Sequence, residues 1–233
     1  MPAKTIASFL KAGALFAELP ADEIAALAAA AREESYDARD RIFTEGETPA
    51  SFWLVRAGRV KISKELRDGK EVILEILGPG EPFGGVAALD GRPYPASAHA
   101  LEPSKVVRIP PEPILALSRR YLTIVREMSA LLGRRLRAAH DVVRSLAAEP
   151  VEARLAARVI RLAEREGVRD HRGLVLPFRV TRQTLADMSG TTVETTIRVL
   201  GRWLRKGLVS EEDGRLIVHS VEALRELEEA GSG

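Results

Sequence analysis

The sequence predicts an α+β protein with a β-rich first half, one long helix, and a winged helix-turn-helix at its C-terminal end. Three observations support this prediction. Short apolar segments separated by turn residues fill residues 1–110, an unbroken apolar repeat runs over 120–148, and residues 181–209 read as a helix, a tight turn and a second helix. We expect domain boundaries that give 1–118, 119–148 and 149–233.

The first part is predicted to be a small barrel or sandwich, because many short strands at regular spacing are typical of these folds. The predicted strands are Ile42-Phe43, Phe52–Val55, Val60–Ser63, Val72–Leu77 and Val106–Ile109. Turn residues stand between them at 45–47, 58, 68–69 and 78–80. An alanine-rich helix over 21–32, with Asp22 as its N-cap, is predicted ahead of the strands.

A single long helix is predicted from Pro113 or Arg120 to Ala148. Its apolar seam steps by three and four through Val125, Met128, Leu132, Arg135, Ala139, Val142 and Leu146. Arg135 interrupts this seam, and Leu136 and Val143 beside it are alternative contact positions. Residues 119–147 contain seven arginines and two acidic residues, so the other faces are expected to be solvated. We interpret the helix as a dimer helix; the alternative is a core helix packed on its own barrel.

The helix-turn-helix is predicted from caps, a turn glycine and apolar spacing. The apolar sides of its two helices are expected to contain Leu185, Met188, Val193, Ile197, Leu200 and Leu204. Thr181 is the N-cap expected for the first helix, and Thr191 or Thr192 for the second. Gly190 supplies the positive φ that such a turn often needs.

Glu194 and Arg198 lie four residues apart on the second helix and therefore on one face. Arginine can donate two hydrogen bonds to guanine, and glutamate can accept one from cytosine N4, so this pair suits readout of the major groove. The alternative is a solvated salt bridge. Residues 177–207 hold six basic and two acidic residues, whereas 208–233 hold two basic and seven acidic ones. This local charge, with the caps and the turn, favours DNA binding.

A wing is predicted directly after the second helix. Leu208-Val209 and Leu216–Val218 flank a turn that contains Asp213-Gly214, a common hairpin signal. Arg215 and His219 are expected to reach the DNA backbone from this hairpin.

Composition excludes several other classes. The chain has 233 residues, 45% of them hydrophobic and 29% charged, with a net charge of +2 and no cysteine. We expect no membrane span, no secretory signal and a cytoplasmic location. Disulfides, thiolate zinc sites and cysteine-held iron–sulfur clusters are excluded. No catalytic constellation or metal spacing is evident, so an enzyme is not expected. A ligand-binding module without DNA binding is a second alternative.

From about residue 15 to 225 the chain resembles the CRP/FNR family of transcription regulators. The resemblance rests on the glycine-punctuated strands, the long helix and the TRQ…G…ET..R pattern of the winged module. It implies an N-terminal double-stranded β-helix, a β-roll like that of cyclic-nucleotide-binding domains. It also implies a homodimer on a palindromic site in double-stranded DNA, and RNA polymerase as a partner.

The resemblance assigns DNA-contacting roles to individual positions. Glu194 and Arg198 match the family residues that read the G·C-rich part of the half-site, which predicts a TGA-like core. The other predicted DNA-binding residues are Thr181, Arg182 and Gln183 at the start of the first helix, and Thr192, Val193, Thr195 and Arg202 on the second. Val193 matches the oxygen-responsive branch, whereas Ile197 replaces the serine of that branch, so the outer bases are left open.

The expected effector cassette, residues 80–99, departs from the cAMP-binding pattern. Gly85 stands where the family has the glutamate that holds ribose, and Pro95-Ala96 stand where it has the arginine and serine that hold phosphate. The helix positions that contact the base are Ala139 and His140 instead of threonine and serine. Losing the arginine removes a charge-assisted bond of about 1.5–3 kcal/mol. cAMP is therefore not expected as the effector.

An apolar effector pocket is expected instead. Its predicted residues are Phe83, Gly84, Gly85, Val86, Ala96, Ser97, Ala98, His99, Ala139 and His140. Because some gas sensors of the family carry haem, a haem that senses NO or CO is one candidate, with His99, His140 or Pro2 as ligand. Alternatively, the histidines are surface or packing residues, the glycine-rich segment is only a turn, and the regulator has no small effector. A cyclic-nucleotide-type ligand-binding module is the further alternative.

Overall fold

The computed structural model describes residues 3–66 and 69–230. The helices are α1 (Ala3–Ala12), α2 (Ala21–Ala30), α3 (Gly85–Asp90), α4 (Pro111–Arg120), α5 (Leu122–Ala148), α6 (Val151–Glu166), α7 (Arg182–Ser189), α8 (Val193–Arg205) and α9 (Val221–Glu229). The strands are β1 (Arg32–Tyr36), β2 (Arg41–Phe43), β3 (Phe52–Ala57), β4 (Val60–Glu65), β5 (Glu71–Leu77), β6 (Pro82–Phe83), β7 (Ser97–Ala100), β8 (Ser104–Ile109), β9 (Val168–Asp170), β10 (Gly173–Arg179), β11 (Val209–Glu212) and β12 (Arg215–Val218). Among these helices, none is long and apolar enough to cross a membrane.

The chain forms two compact units, 1–64 with 75–137 and 65–74 with 138–233. The eight strands that precede α4 form two four-stranded sheets, with strand orders β1-β8-β3-β6 and β2-β7-β4-β5. Side chains from both sheets form one buried cluster that includes Phe43, Trp53, Val60 and Phe83. This arrangement confirms the predicted β-roll and the five strands expected for it.

Strand β3 explains how this unit is layered. Phe52 and Leu54 pack into a cluster with α1, α2 and α4, whereas Trp53 and Val55 belong to the cluster between the sheets. Successive side chains of a strand point to opposite faces, so a strand covered on both sides is buried throughout. The four consecutive apolar residues of β3 therefore all contribute to the core, two on each side of the sheet.

The N-terminal part corrects the predicted helix over 21–32. Helix α2 has Pro20 at its N-cap position and ends at Ala30, while Asp22 lies in its first turn, where its charge suits the helix dipole. Residues Arg32–Tyr36 form β1, which pairs antiparallel with β8. This strand was not predicted because it is polar; its Glu33 forms an ion pair with Arg56 at 3.1 Å.

The long helix is divided in two. Tyr121 has extended backbone angles and separates α4 from α5, so the prediction of one helix from Pro113 was wrong and the alternative start near Arg120 was closer. The boundary between the two compact units falls within α5, between residues 137 and 138, instead of at its ends.

Helix α5 carries two neighbouring rows of side chains before this boundary. The first row is Ile124, Met128, Leu131 and Arg135, and the second is Val125, Ser129, Leu132 and Leu136. In the first row, Ile124 and Met128 pack in the core of the first unit, and the Arg135 guanidinium pairs with Glu75 at 2.9 Å and donates to the Pro82 carbonyl at 2.6 Å. The second row is exposed. The seam predicted from the sequence combined residues of both rows, Met128 and Arg135 from the first and Val125 and Leu132 from the second.

The second unit combines a four-stranded sheet of order β11-β12-β10-β9 with α6, α7, α8 and α9. Helix α6 supplies much of its core through Leu155, Val159, Ile160 and Leu162. Strands β9 and β10 were not predicted. Pro177 lies at an exposed position of β10, and the pairing of β10 with β12 shifts register between Val175 and Arg179, as expected where proline lies in a strand.

Candidate nucleic-acid interface

The helix-turn-helix is formed by α7, a turn and α8, and local side-chain chemistry fixes both helix starts. Thr181 Oγ1 accepts a hydrogen bond from the Thr184 amide at 3.0 Å, and Thr192 Oγ1 accepts one from the Thr195 amide at 3.3 Å. Gly190 ends α7 in the left-handed region, with φ of 58°. The predicted caps and turn are therefore confirmed, and Thr192 is the second cap.

The predicted apolar side of α8 was wrong in part. Its buried residues are Thr196, Val199, Leu200 and Trp203. Ile197 is 53% exposed and Leu204 is 37% exposed, so these two residues do not belong to the core. The buried side of α8 follows its packing on α7 and β11 and includes a threonine, which the apolar spacing alone did not indicate.

Glu194 and Arg198 lie on the exposed side of α8. Among the described residues, neither has an ion-pair partner, so the predicted alternative of a salt bridge between them is not formed. The pKa of Glu194 lies below its usual range because its carboxylate accepts hydrogen bonds from its own backbone amide and from Thr192. Glu194 is thus an anionic acceptor at neutral pH, and Arg198 is a free guanidinium four residues later.

Arg202 differs from Arg198 because it is engaged within the protein. Its Nη2 donates to Glu152 Oε2 of α6 at 2.6 Å, and the indole of Trp203 donates to Glu152 Oε1 at 2.9 Å. One carboxylate therefore fixes the rotation of α8 on α6. Arg202 would have to leave this pair to make its predicted DNA contact, and in this structure it anchors the helix.

Arg154 of α6 has a corresponding role at the turn. It donates to the carbonyls of Ser189 at 3.0 Å and Gly190 at 3.3 Å, which lie at the C-terminal end of α7, and to the carbonyl of Glu149 at 2.7 Å. A cation at this end of a helix satisfies carbonyls that lack a helical partner and suits the dipole. Sequence reasoning missed Glu152 and Arg154, because an amphipathic helix gives charged residues no individual role.

We expect Glu152→Ala to lower the free energy of unfolding of the second unit by about 1–3 kcal/mol, because it leaves the buried Trp203 N–H without an acceptor. Urea titration followed by tryptophan fluorescence measures this change. Glu152→Gln is the matched control: its amide oxygen still accepts from the indole, so its loss should be smaller. Equal losses in both variants would show that the charge on Glu152, and not the indole bond, stabilises the packing.

The first turn of α7 is also occupied by intramolecular contacts. Both terminal nitrogens of Arg182 donate to the carboxylate of Glu211 on β11, one of them at 2.9 Å. Gln183 Nε2 donates to Asp187 Oδ1 at 2.7 Å on the same helix. The structure thus gathers the predicted residues Thr181, Arg182 and Gln183 at one helix start, with Arg182 joined to the wing.

The wing is a two-residue hairpin, as predicted. Asp213 and Gly214 both have positive φ, 51° and 75°, the combination that a type I′ turn requires. Arg215 is exposed after this turn. His219 is exposed as well, and its Nδ1 lies 2.7 Å from the carbonyl oxygen of Arg172.

The core of the β-roll is filled by aromatic rings where an effector pocket was predicted. The rings of Phe43 and Tyr94 stack with centroids 3.8 Å apart, and the ring of Phe83 lies 6.0 Å from those of both Phe43 and Trp53. Ala96 and Ala98 are also buried. Of the predicted pocket residues, these apolar side chains are therefore brought together as packed core, while Val86 is exposed on α3.

Close packing requires both glycines of the cassette. A Cβ on Gly84 would lie 2.8 Å from the Trp53 ring, and a Cβ on Gly85 would lie 2.6 Å from the Phe52 ring. Both distances are shorter than side chains tolerate, so Phe52 occupies the space into which the family glutamate would have to extend. The glycine that replaces the family glutamate at position 85 therefore lies against an aromatic ring that comes 33 positions earlier in the chain.

The remaining predicted effector residues lie on two different elements, β7 and α5. Ser97 accepts a hydrogen bond from the Glu45 amide at 3.0 Å, and His99 lies on β7 in register with Arg41 and Lys61. Ala139 and His140 are exposed on α5 and belong to the second unit, whereas His99 belongs to the first. Pro2, the other suggested haem ligand, lies outside the described residues.

Family comparisons agree with this architecture. Residues 33–121 match the model of the cyclic nucleotide-binding domain, and residues 153–227 match that of the Crp-like helix-turn-helix domain. Among solved structures, FixK2 of Bradyrhizobium japonicum superposes with a TM-score of 0.77 at 23% identity, covering 85% of this chain and 97% of its own. CooA of Carboxydothermus hydrogenoformans, in a mutant form, superposes at 0.74 with 20% identity, covering 93% and 95%.

Curated relatives give the same result at the sequence level. The chain is 31% identical to the cyclic AMP receptor protein of Thermus thermophilus over 94% of this chain and 98% of that protein. It is 28% identical to the fumarate and nitrate reduction regulatory protein of Escherichia coli, over 80% of this chain and 74% of that protein. With both domain models in the expected order, the chain belongs to the CRP/FNR family of DNA-binding transcription regulators.

Proposed function

We propose that this regulator binds, as a homodimer, a palindromic DNA site whose half-sites have a TGA-like core, and that its effector is not cAMP. The observation that carries the DNA part is the exposed face of α8, on which Glu194 is ionised and Arg198 has no protein partner among the described residues. A free guanidinium can form the two-point contact to guanine O6 and N7, and the carboxylate can accept from cytosine N4. The caps at Thr181 and Thr192 present helix starts that suit phosphates.

The second row of α5 supports the proposed dimer. Leu132 and Leu136 are 41% and 58% exposed, and Val125 in the same row is also exposed, on a helix of 27 residues. Such a helix is about 40 Å long, comparable to the separation of about 34 Å between two half-sites. The first row already packs in the core, so the interpretations as dimer helix and core helix apply to adjacent faces of one helix. Exposed apolar side chains at this spacing suit packing against the same helix of a second copy of the chain.

Site selection tests the DNA proposal. Randomised duplexes should enrich for a palindrome with two TGA-like half-sites whose centres are about one helical turn apart. Enrichment of a single, unrepeated motif would contradict the dimeric mode, and the absence of any enriched motif would contradict sequence-specific binding. RNA polymerase as a partner is tested by transcription from a promoter that carries the selected site.

The packed roll supports an effector other than cAMP. The rings of Trp53, Phe43 and Tyr94 surround Gly84, and Phe52 lies against Gly85. Pro95, in the place of the family arginine, offers no charge to a cyclic phosphate. A ligand shifts a conformational equilibrium only through different affinities for the two states, and these residues give a nucleotide little to bind.

We therefore expect that cAMP and cGMP neither bind at micromolar concentration nor change affinity for the selected DNA site. Calorimetry measures the first and a mobility-shift assay measures the second. Micromolar binding of cAMP, or tighter DNA binding in its presence, would contradict this proposal. Absence of both effects is also expected for a regulator that has no small effector.

Haem remains a prediction from the family resemblance, and the arrangement of the described residues does not favour it within the roll. The aromatic core leaves the space between the sheets filled, and His140 is exposed on α5. Absorption spectra of the protein mixed with haem, compared among wild type, His99→Ala and His140→Ala, test it. A histidine-dependent Soret shift would support haem, whereas identical spectra would exclude both histidines as ligands.

A further inference from the structure

Two neighbouring acidic residues of the wing form ion pairs with two different arginines. Glu211 on β11 binds Arg182 at the start of α7, while its neighbour Glu212 binds Arg172, which also pairs with Asp170 at 2.7 Å. Adjacent residues of a strand point to opposite faces, so the two glutamates serve different partners. Only Glu211 contacts a residue of the helix-turn-helix that is proposed to bind DNA.

The contact between Arg182 and Glu211 has the geometry of a bidentate ion pair. Each terminal nitrogen of the guanidinium donates to a different carboxylate oxygen, and the two side chains are 31% and 30% exposed. A phosphodiester also offers two oxygens to a guanidinium in this manner. Glu211 therefore engages the same donors that a DNA phosphate would use.

We propose that Glu211 competes with the DNA backbone for Arg182 and so lowers the affinity of the protein for DNA of any sequence. This inference rests on the proposed role of Arg182 as a phosphate contact. In the free protein the Arg182 charge is neutralised by Glu211, and binding of a phosphate must displace or repel that carboxylate. Because phosphate contacts carry no sequence information, the competition changes affinity without changing base preference.

The competition has a predictable size. An ion pair that is partly exposed contributes modestly, so removing the charge of Glu211 should tighten DNA binding by about two- to five-fold beyond the general effect of removing one negative charge. Glu212 provides that general effect, because it lies on the same strand and carries the same charge but binds Arg172. The matched pair of variants is thus Glu211→Gln and Glu212→Gln.

The test measures the affinity of the full chain for the selected site and for a scrambled duplex, at several salt concentrations. Glu211→Gln should bind both duplexes more tightly than Glu212→Gln does, by a similar factor. In an Arg182→Ala background, where binding is weaker and the salt slope shallower by about one, the two glutamine variants should become equal. Thermal melting verifies that all variants are folded.

Other outcomes overturn the inference in distinguishable ways. Equal gains in Glu211→Gln and Glu212→Gln would show only general electrostatics. Weaker binding by Glu211→Gln would mean that Glu211 positions Arg182 for the phosphate. An Arg182→Ala variant that binds like the wild type would remove Arg182 from the interface, and failure of the wild type to bind either duplex would refute the proposed function itself.

Discussion

Leu132→Glu is expected to convert the protein to a monomer and to abolish binding to a full palindrome at concentrations at which the wild type is saturated. In the proposed dimer, two symmetric copies of α5 bury this side chain, and burial of a leucine contributes about 1.5–3 kcal/mol. The variant loses this contribution twice and places two carboxylates without partners in the interface. Each monomer then holds only one half-site.

Sedimentation at micromolar concentration and mobility shifts on the palindrome measure the two effects. Ala130→Glu is the matched control, since Ala130 is exposed on the same helix but lies on neither of its two rows. It adds the same charge and should remain dimeric. Because Leu132 is already 41% exposed in one chain, the first unit should stay folded in the variant. A Leu132→Glu protein that still sediments as a dimer would exclude this row as the interface.

Local chemistry explains why the helix-turn-helix was predictable from the sequence. The caps Thr181 and Thr192 and the turn at Gly190 act within four residues of themselves, so their types and spacing contain the necessary information. The same holds for the wing, whose Asp213-Gly214 turn requires two residues that tolerate positive φ. Such features need no knowledge of distant packing.

Features that depend on partners far away in the sequence were harder to predict. The polar strand β1 is held by pairing with β8, 68 to 76 residues later, and no apolar alternation marks it. The register of α8 depends on Glu152 of α6, which binds both Arg202 and Trp203. The two rows of α5 cannot be separated by their sequence spacing. Steps of three and four residues connect side chains within each row and also lead from one row to the next.

The expected effector pocket shows the same limit. The sequence alone indicates that Gly85 and Pro95 differ from the family residues that hold a cyclic nucleotide, since that depends only on residue types, and the exclusion of cAMP stays a prediction. It could not indicate that Phe52 and the ring of Trp53 fill the adjacent space, because this requires the strand register that brings β3 beside the cassette. Apolar residues that were predicted to line a pocket, such as Phe83 and Ala98, instead pack in the core between the two sheets.

Arg198→Ala is expected to lower affinity for the selected site by about 1–3 kcal/mol, roughly 5- to 150-fold, and to relax the preference at one G·C pair. Arg198 is an exposed arginine of α8, four residues after ionised Glu194, and, unlike Arg202, it makes no contact with α6 among the described residues. Its loss should therefore leave the stability of the second unit unchanged. Randomised-site selection and titration with the wild-type site measure the two effects.

Arg198→Lys separates charge from geometry in this prediction. Lysine keeps the positive charge but lacks the planar fork that matches guanine O6 and N7, so the salt dependence should be retained while the base preference falls. A matching selection with Glu194→Gln should alter the preference at a neighbouring position, because the amide no longer presents an anionic acceptor to cytosine N4. If Arg198→Ala selects the same half-site as the wild type with equal stringency, Arg198 contacts the backbone only, and another residue of α8 reads the G·C pair.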